Sequence, residues 1–345
     1  MPKVSVLIPC YNAESYIGEA IDSILRQTLA DFEIVVVDDG STDNSARRVN
    51  DFQDARIRLI RLEENRGVAV ARNEAMRQAR SEYLAFLDAD DLSLPGRLAV
   101  QADFLDRRPD IDLVGSAYYS LGKLKVWKSP EAHGTIAGEA FFKLPFRMST
   151  VMLRKTCLRK GSISLNPAYR VAEDYDFADQ LLAAGSRFAN LPQPLVRYRT
   201  HPGNTSNLHF HESTDYTREI RRRAVRRWFP QCDERELGLH DAIAARSPAL
   251  RPEDAPAVAA WLEKLYAAAP LNGISEPDLF LRALARQWDQ VCSLFAGNSI
   301  YQAACCYFSR PLFYQSAGLP GWLAFLARCL KRRWKKPRRG PGCDQ

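Results

Sequence analysis

At 345 residues, with 46% apolar and 26% charged side chains, the chain is large enough for one big domain or two smaller ones, and its composition excludes a disordered or low-complexity protein. The eight cysteines include no CxxC pair and no histidines at zinc spacing, so they are expected as reduced thiols and not as a disulfide framework or zinc site. The net charge of +7 is uneven: residues 211–345 hold 21 Lys/Arg against 14 Asp/Glu, whereas residues 1–210 hold 27 of each, which predicts two tasks along one chain.

The opening MPKVSVLIPCYN has too short an apolar run for a signal peptide. No stretch reaches the roughly 20 apolar residues of a membrane span. KVSVLIP at 3–9 is β-branched, apolar and closed by Pro9, the pattern of a buried strand. In the following YNAESYIGEAIDSILRQ, residues Ile17, Ala20, Ile21, Ile24 and Leu25 fall at helical spacing, with Asn12 as the expected cap. FEIVVV at 32–37 is a second strand ending in DDGSTD, and a helix is expected from Ser45 to Phe52. IRLIRL at 57–62 alternates and reads as a third strand nearer an edge. NRGVAVARNEAMRQAR is helical, and YLAFL is a fourth strand. This alternation with short connections predicts a parallel sheet covered by helices on both faces. Such sheets bind ligands at the C-terminal ends of their strands, and three polar clusters fall there: Pro9–Asn12, Asp38–Asp43 and Asp88–Asp91.

From 92 to 210 the pattern is less regular. A helix follows Pro95, strands are expected in DLVGSAYYS, KVW and STVMLRK, and VAEDYDFADQLLAAG is a helix whose acidic start suits the helix dipole. LVRYRTHPGNTS is a strand leaving into a loop. Beyond 210 the chain is Arg- and Ala-rich and helical, with proline breaks near 248–256, 270–277 and 311–320. The expected organisation is a catalytic domain over 1–210 and a helical, basic region over 211–345.

No GxGxxG follows the first strand and no GxxxxGK[ST] occurs, so a dinucleotide or P-loop site lacks its phosphate turn. VVVDDGSTD is either a turn, which Asp and Gly favour, or a strand-end carboxylate placed to accept from a base N–H or ribose hydroxyls. A phospho-receiver also carries acids at strand ends, but the chain runs well past receiver length with a third acidic cluster. LDADD is sharper. Four apolar residues run straight into Asp88, Asp90 and Asp91, and like charges that close oppose each other's ionisation. Oxygen ligands without cysteine suit Mg²⁺ or Mn²⁺, which bridges diphosphate oxygens; a surface acidic turn is the plainer reading. Arg66 and Arg72 in NRGVAVARN, near a helix start, offer charge to a diphosphate or are merely solvated. In AEDYDF, Glu173 and Asp176 are assigned to the helix dipole, and one carboxylate is a candidate general base. His201 is a loop histidine or a late metal ligand.

Taken together, PKVSVLIPCYNAESYIGEAIDSILRQT, FEIVVVDDGSTD, NRGVAVARN, YLAFLDADD and AEDYDF resemble the family 2 inverting glycosyltransferases of the GT-A fold, over about residues 1–210. The resemblance implies an α/β, mostly parallel, doubly wound sheet with helices on both faces, plus a helical C-terminal extension. It implies a nucleotide site formed by Pro9, Tyr11, Asn12, Asp39, Arg72 and Asp88, with Asp39 on the base and Arg72 near the diphosphate. It implies Mn²⁺ or Mg²⁺ at Asp90, Asp88 and His201, with Asp90 the direct ligand, and Asp174 as the catalytic base. The implied activity is transfer of a hexose from a nucleoside diphosphate donor, UDP-linked, to a glycan or lipid-linked acceptor in cell-surface polysaccharide or lipopolysaccharide synthesis. A sugar-phosphate nucleotidyltransferase is the alternative enzyme, although PCYNAES offers no Gly-rich loop, and a non-catalytic sugar-nucleotide-binding module is the other.

The region beyond 210 matches no shared pattern. In PGWLAFLARCLKRRWKKPRRG, residues Trp322, Leu323, Phe325, Leu326, Cys329, Leu330 and Trp334 make a broad apolar side, and seven of the nine residues from Lys331 to Arg339 are basic. That pattern, over 320–339, predicts an interfacial helix on an anionic membrane surface. No base-stacking module accompanies it, so nucleic acid is not expected. The expected location is the cytoplasm, peripheral on the inner face of the cell membrane.

Overall fold

In the computed structural model, which describes residues 1–121, 125–201, 210–297 and 299–335, the first apolar run forms β1 (Val4–Cys10), every residue of it buried. α1 (Ile17–Leu25) follows, capped by Tyr16 and not by Asn12. β2 (Phe32–Asp38) is buried throughout. Then come α2 (Ser45–Asn50), β3 (Ile57–Arg61), α3 (Val68–Gln78) and β4 (Tyr83–Phe86). β1, β2, β3 and β4 are mutually parallel in the order β3-β2-β1-β4. Burial on both sides explains the largely apolar composition of the central three, with Ser5 and Glu33 as buried polar exceptions bonded to each other at 2.7 Å, and β3, with partly exposed residues, is the edge.

Past β4 come β5 (Leu92–Ser93), α4 (Arg97–Arg107), β6 (Leu113–Ser120), β7 (Val126–Trp127) and α5 (His133–Ala140). β8 (Met152–Arg154), α6 (Glu173–Ala183) and β9 (Phe188–Tyr198) complete the sheet. Its order is β3-β2-β1-β4-β8-β6-β9-β5, with β7 pairing β6. The parallel character belongs to the first four strands and to β6–β9; β8, β5 and β7 pair antiparallel. Two apolar clusters lie on opposite faces. One is built on Val4, Val6 and Ile8 with α1, the other on Leu7, Val35 and Val37 with α3. The alternation of β1 residues between the two follows from the strand period of two.

The chain divides into two compact units, one of residues 1–136 and 144–220, the other of 137–143 and 221–345. The boundary falls inside α7 (Phe210–Trp228), beyond the expected 210, because Ile220 is fully buried against Tyr169 and Tyr175 of the first unit. The second unit is helical, with α8 (Glu234–Ala245), α9 (Ala255–Ala268), α10 (Pro277–Phe295), α11 (Ile300–Phe308) and α12 (Pro311–Lys335). Its core includes the fully buried Trp288 and the stacked rings of Tyr307 and Phe325, 4.1 Å apart. His240 is buried between the Phe141 carbonyl (2.8 Å) and the Trp261 indole N–H, which donates to Nδ1 (3.1 Å). Burial pushes that imidazole down to about 4, so it is a neutral core residue. No described helix is long and apolar enough to cross a membrane. The side chains of 332–335, and residues 336–339, lie outside the described residues, and with them most of the expected basic end.

Candidate active site

The strand ends knit together before any ligand is considered. Asn12 leaves β1 with φ of 46°, a left-handed conformation that asparagine tolerates. Its Oδ1 accepts from the Thr42 amide (2.9 Å), and its own amide donates to Ser41 Oγ (2.9 Å). Asn12 therefore ties the end of β1 to the DDGSTD turn. Asp38 is fully buried and accepts from the Ser41 amide (3.0 Å) and Arg61 Nε (3.0 Å). Gly40, at φ 70°, has no room for a side chain: a Cβ would come within 2.6 Å of the Glu64 backbone.

Asp39, the next carboxylate, is 3% exposed and accepts the amides of Arg66 (2.9 Å) and Gly67 (2.8 Å). Those amides precede α3, so part of the expected anion-facing helix start is spent on Asp39. Burial raises the Asp39 pKa despite these bonds. A carboxylate has about four acceptor positions, so the two amides leave room for a ligand. Pro9 lies in β1 opposite Val37, and Tyr11 beyond it is 48% exposed. β1 separates the ends of β2 and β4, so the turns that carry Asp39 and Asp88 lie two strands apart.

Arg72, predicted near the diphosphate, is 4% exposed and ion-paired twice. Nη2 donates to Asp88 Oδ1 (2.6 Å) and Nη1 to Glu173 Oε1 (2.5 Å), while Nε has no partner. This corrects the dipole assignment of Glu173: its carboxylate serves a tertiary ion pair. Asp176 is buried and accepts from Gln180 Nε2 (2.6 Å) on its own helix. Arg66 is exposed.

Asp174 and Glu173 open α6 after Ala172, which takes φ of 68°. A left-handed non-glycine residue stores about 1–3 kcal/mol of strain, here at the hinge that aims the two carboxylates. Burial raises the Asp174 pKa, and the charges of Arg72 and Arg147 oppose this. Burial, then the neighbouring Asp174, pushes Glu173 up to about 7 against the pull of Arg72.

In LDADD, Asp88 accepts from Ser149 Oγ (2.9 Å) as well as Arg72. Asp90 Oδ2 lies 2.9 Å from His201 Nε2. Burial, then the nearby Asp88, raises the Asp90 pKa. Asp91 is fully buried and accepts the Arg199 amide (2.8 Å). Arg199 Nε donates to the Asp90 carbonyl (2.9 Å), and Nη2 to Glu19 (2.6 Å). The His201 ring stacks on Tyr16 at 4.9 Å. The carboxylates of LDADD thus meet an arginine, a serine, an imidazole and a backbone amide. Among the described residues, no three His, Cys, Asp or Glu side chains are grouped as a metal centre. Asp90 and His201 do converge, and two protein donors suit a hard cation that takes its other ligands from phosphate and water. Asp88 faces Arg72 and Ser149 instead.

Sequence reasoning missed Arg61, Ser149, Arg147 and Arg199. No local signal marks them: Arg61 is brought in by the pairing of β2 with β3, Arg147 and Ser149 by the turn before β8, and Arg199 by the residues that follow β9.

Residues 5–163 match the family model described as glycosyl transferase family 2. An uncharacterized glycosyltransferase of Haemophilus influenzae is 32% identical over 240 residues, 65% of this chain and 73% of that one. EpsE, a putative glycosyltransferase of Bacillus subtilis, is 29% identical over 72% of this chain and 89% of its own. The Escherichia coli UDP-Glc:alpha-D-GlcNAc-diphosphoundecaprenol beta-1,3-glucosyltransferase WfgD is 42% identical over 102 residues, 30% of this chain and 40% of its own. Among solved structures, S. aureus TarS 1-349 in complex with UDP-GlcNAc superimposes with a TM-score of 0.57 at 20% identity, covering 98% of this chain and 93% of that one. That likeness concerns the fold, which is GT-A. By its sequence, this chain belongs to glycosyltransferase family 2.

Proposed function

We propose that this glycosyltransferase moves a hexose from a UDP-linked donor to a glycan or lipid-linked acceptor with inversion at the anomeric carbon, in polysaccharide or lipopolysaccharide synthesis. One observation carries the reading: Arg72 binds Asp88 of LDADD and Glu173 beside Asp174, so the acidic clusters of two distant segments share one guanidinium. The UDP assignment draws on TarS bound to UDP and UDP-GlcNAc, and the acceptor class on the name of WfgD.

Asp39, Pro9 and Tyr11 receive the nucleotide, with Asp39 accepting from the base through its remaining lone pairs. Asn12 holds the rim that frames it. Arg72 stays protonated between Asp88 and Glu173 and turns its charge to the diphosphate. Asp90 and His201 would hold Mn²⁺ or Mg²⁺, which when bound supplies positive charge to the leaving diphosphate oxygens. Asp174 accepts the proton of the acceptor hydroxyl. The oxygen so freed forms a bond to the anomeric carbon on the face opposite the nucleotide, and the bond to the diphosphate breaks with its electrons on the diphosphate. Asp174 leaves this step protonated and returns its proton to solvent.

A melting-point screen of sugar nucleotides with Mn²⁺, followed by product analysis, tests the reading. The expected result is a stabilising UDP-sugar and a product of inverted configuration. Release of pyrophosphate would identify the nucleotidyltransferase alternative, and binding without donor turnover would identify the non-catalytic module.

The C-terminal helix is proposed as a membrane-surface element. Trp322, Leu323 and Leu330 of α12 are 37%, 56% and 57% exposed, adjacent in sequence to the basic run 331–339. That location suits a lipid-linked acceptor at the cytoplasmic membrane face.

A further inference from the structure

Donor chemistry leaves the rim between β6 and β9 unused. These strands run parallel, with Ser120 opposite Tyr198, and β7 folds back so that Trp127 faces Tyr118. The rings of Tyr118 and Trp127 lie within 10° of parallel with centroids 6.5 Å apart, and Tyr198 meets Tyr118 edge-on at 5.8 Å. Trp127 is 43% exposed although Tyr118 beneath it is buried. Two cations touch the patch and a third is its neighbour in sequence. Lys125 Nζ lies 3.7 Å over the Trp127 ring, Lys128 is exposed, and the Arg147 guanidinium lies 5.2 Å from the Tyr198 ring.

The patch is continuous with the acid cluster. Arg147 Nε donates to the Tyr118 hydroxyl at 3.4 Å, and Ser149, two residues on, donates to Asp88 at 2.9 Å. β9 continues from Tyr198 into Arg199, which is bonded to Asp90 and Asp91. A ligand lying on the patch therefore borders the LDADD carboxylates.

We infer that this surface is the acceptor subsite, and that the acceptor is an anionic saccharide whose pyranose ring lies on Trp127 with its anionic group toward Lys125, Lys128 and Arg147. The inference rests on the glycosyltransfer reading of Asp174 and deepens it by naming the acceptor class. A pyranose presents an apolar C–H face inside a rim of hydroxyls, so an aromatic face removes the apolar part from water while the rim stays hydrogen-bonded. A sugar sandwiched between two rings needs about 4 Å on each side. The Tyr118–Trp127 spacing of 6.5 Å is too narrow, so the sugar stacks on Trp127 by displacing the Lys125 ammonium from the ring face. The cations then favour a charged substituent, a phosphate or a uronate carboxylate.

Saturation-transfer NMR titration of the full chain without donor tests this, with a hexose 1-phosphate, a methyl hexuronide and a neutral methyl hexoside as probes. One of the anionic probes is expected to bind about fivefold more tightly than the neutral one, and which one does so separates a phosphate-bearing acceptor from a uronate-bearing one. Trp127→Ala is expected to weaken that binding about tenfold, the worth of one stacked ring, and Trp127→Phe to restore most of it. Should Trp127→Ala misfold, Lys125→Glu with Lys128→Glu is expected to abolish the anionic preference. Unchanged affinity in these variants, or equal binding of the neutral probe, overturns the proposal. A parent protein that binds the saccharide here but shows no melting shift with any sugar nucleotide sinks the donor reading and leaves the subsite standing.

Discussion

Arg72 joins Asp88 and Glu173 through the two ends of one guanidinium, at 2.6 and 2.5 Å. The pairing answers the charge problem of LDADD: the cluster meets a protein cation that arrives from α3. Removing the guanidinium leaves Glu173 buried without its counter-charge. Arg72→Gln is expected to cost about 3–5 kcal/mol, seen as a fall of roughly 10 °C in Tm. Arg72→Lys recovers only part of it, because an ammonium does not span both carboxylates. An unchanged Tm in Arg72→Gln would show that the pair contributes nothing to the fold.

Asp174→Asn removes the proposed base and keeps the shape. Turnover is expected to fall by roughly 10²–10⁴-fold, with the sugar-nucleotide melting shift retained. Parallel loss of both would move the base elsewhere.

The activity–pH profile should carry an acid limb above the range of an exposed carboxylate. Burial raises Asp174, and Glu173 beside it stands at about 7; adjacent groups titrate as a pair. The rate falls as pH drops through this range, because Asp174 must be ionised to accept a proton. The stability sign is opposite. A folded-state pKa raised from 4.5 to about 7 at Glu173 means the native state holds this proton more tightly. Its contribution is complete below 4.5 and lost as pH rises through about 7. Glu173→Gln should therefore flatten the decline of Tm over that interval.

Arg199 is expected to act on the proposed cation site through its neighbours. Its side chain holds the Asp90 carbonyl, and it lies two residues from His201. Arg199→Ala is expected to weaken Mn²⁺ binding about tenfold in calorimetric titration, and Asp90→Asn to weaken it further. Unaltered binding in both variants would remove the cation from this loop.

Truncation before residue 318 tests the membrane element. The full chain is expected to co-sediment with vesicles containing anionic lipid and to be released by salt, since each basic residue contributes roughly 1 kcal/mol near such a surface. A truncated chain that still co-sediments would place the anchor elsewhere.

Most of the sheet was legible in the sequence because its central strands are buried on both faces. β1, β2 and β4 are apolar runs ended by Pro, Asp and Gly, and burial on two sides leaves the composition no alternative. The same logic placed the candidate site at the ends of those strands. Asn12 was misassigned because an asparagine before a helical pattern caps many helices, whereas here its amide group finds the DDGSTD turn across β1. Glu173 was misassigned because an acid in a first helical turn satisfies the dipole locally and nothing nearby reveals a distant arginine.

The sequence by itself determined which segments become strands, where each one stops, and that acids gather at those stops, because burial and turn preference act on neighbours along the chain. Only the tertiary structure decided which acid meets which cation: Arg72 with Asp88 and Glu173, Arg199 with Asp90 and Asp91, Arg147 beside Tyr118. Those choices depend on strand order and on the left-handed turn at Ala172, which bring side chains far apart in sequence within hydrogen-bonding range. No local periodicity encodes a contact of that kind.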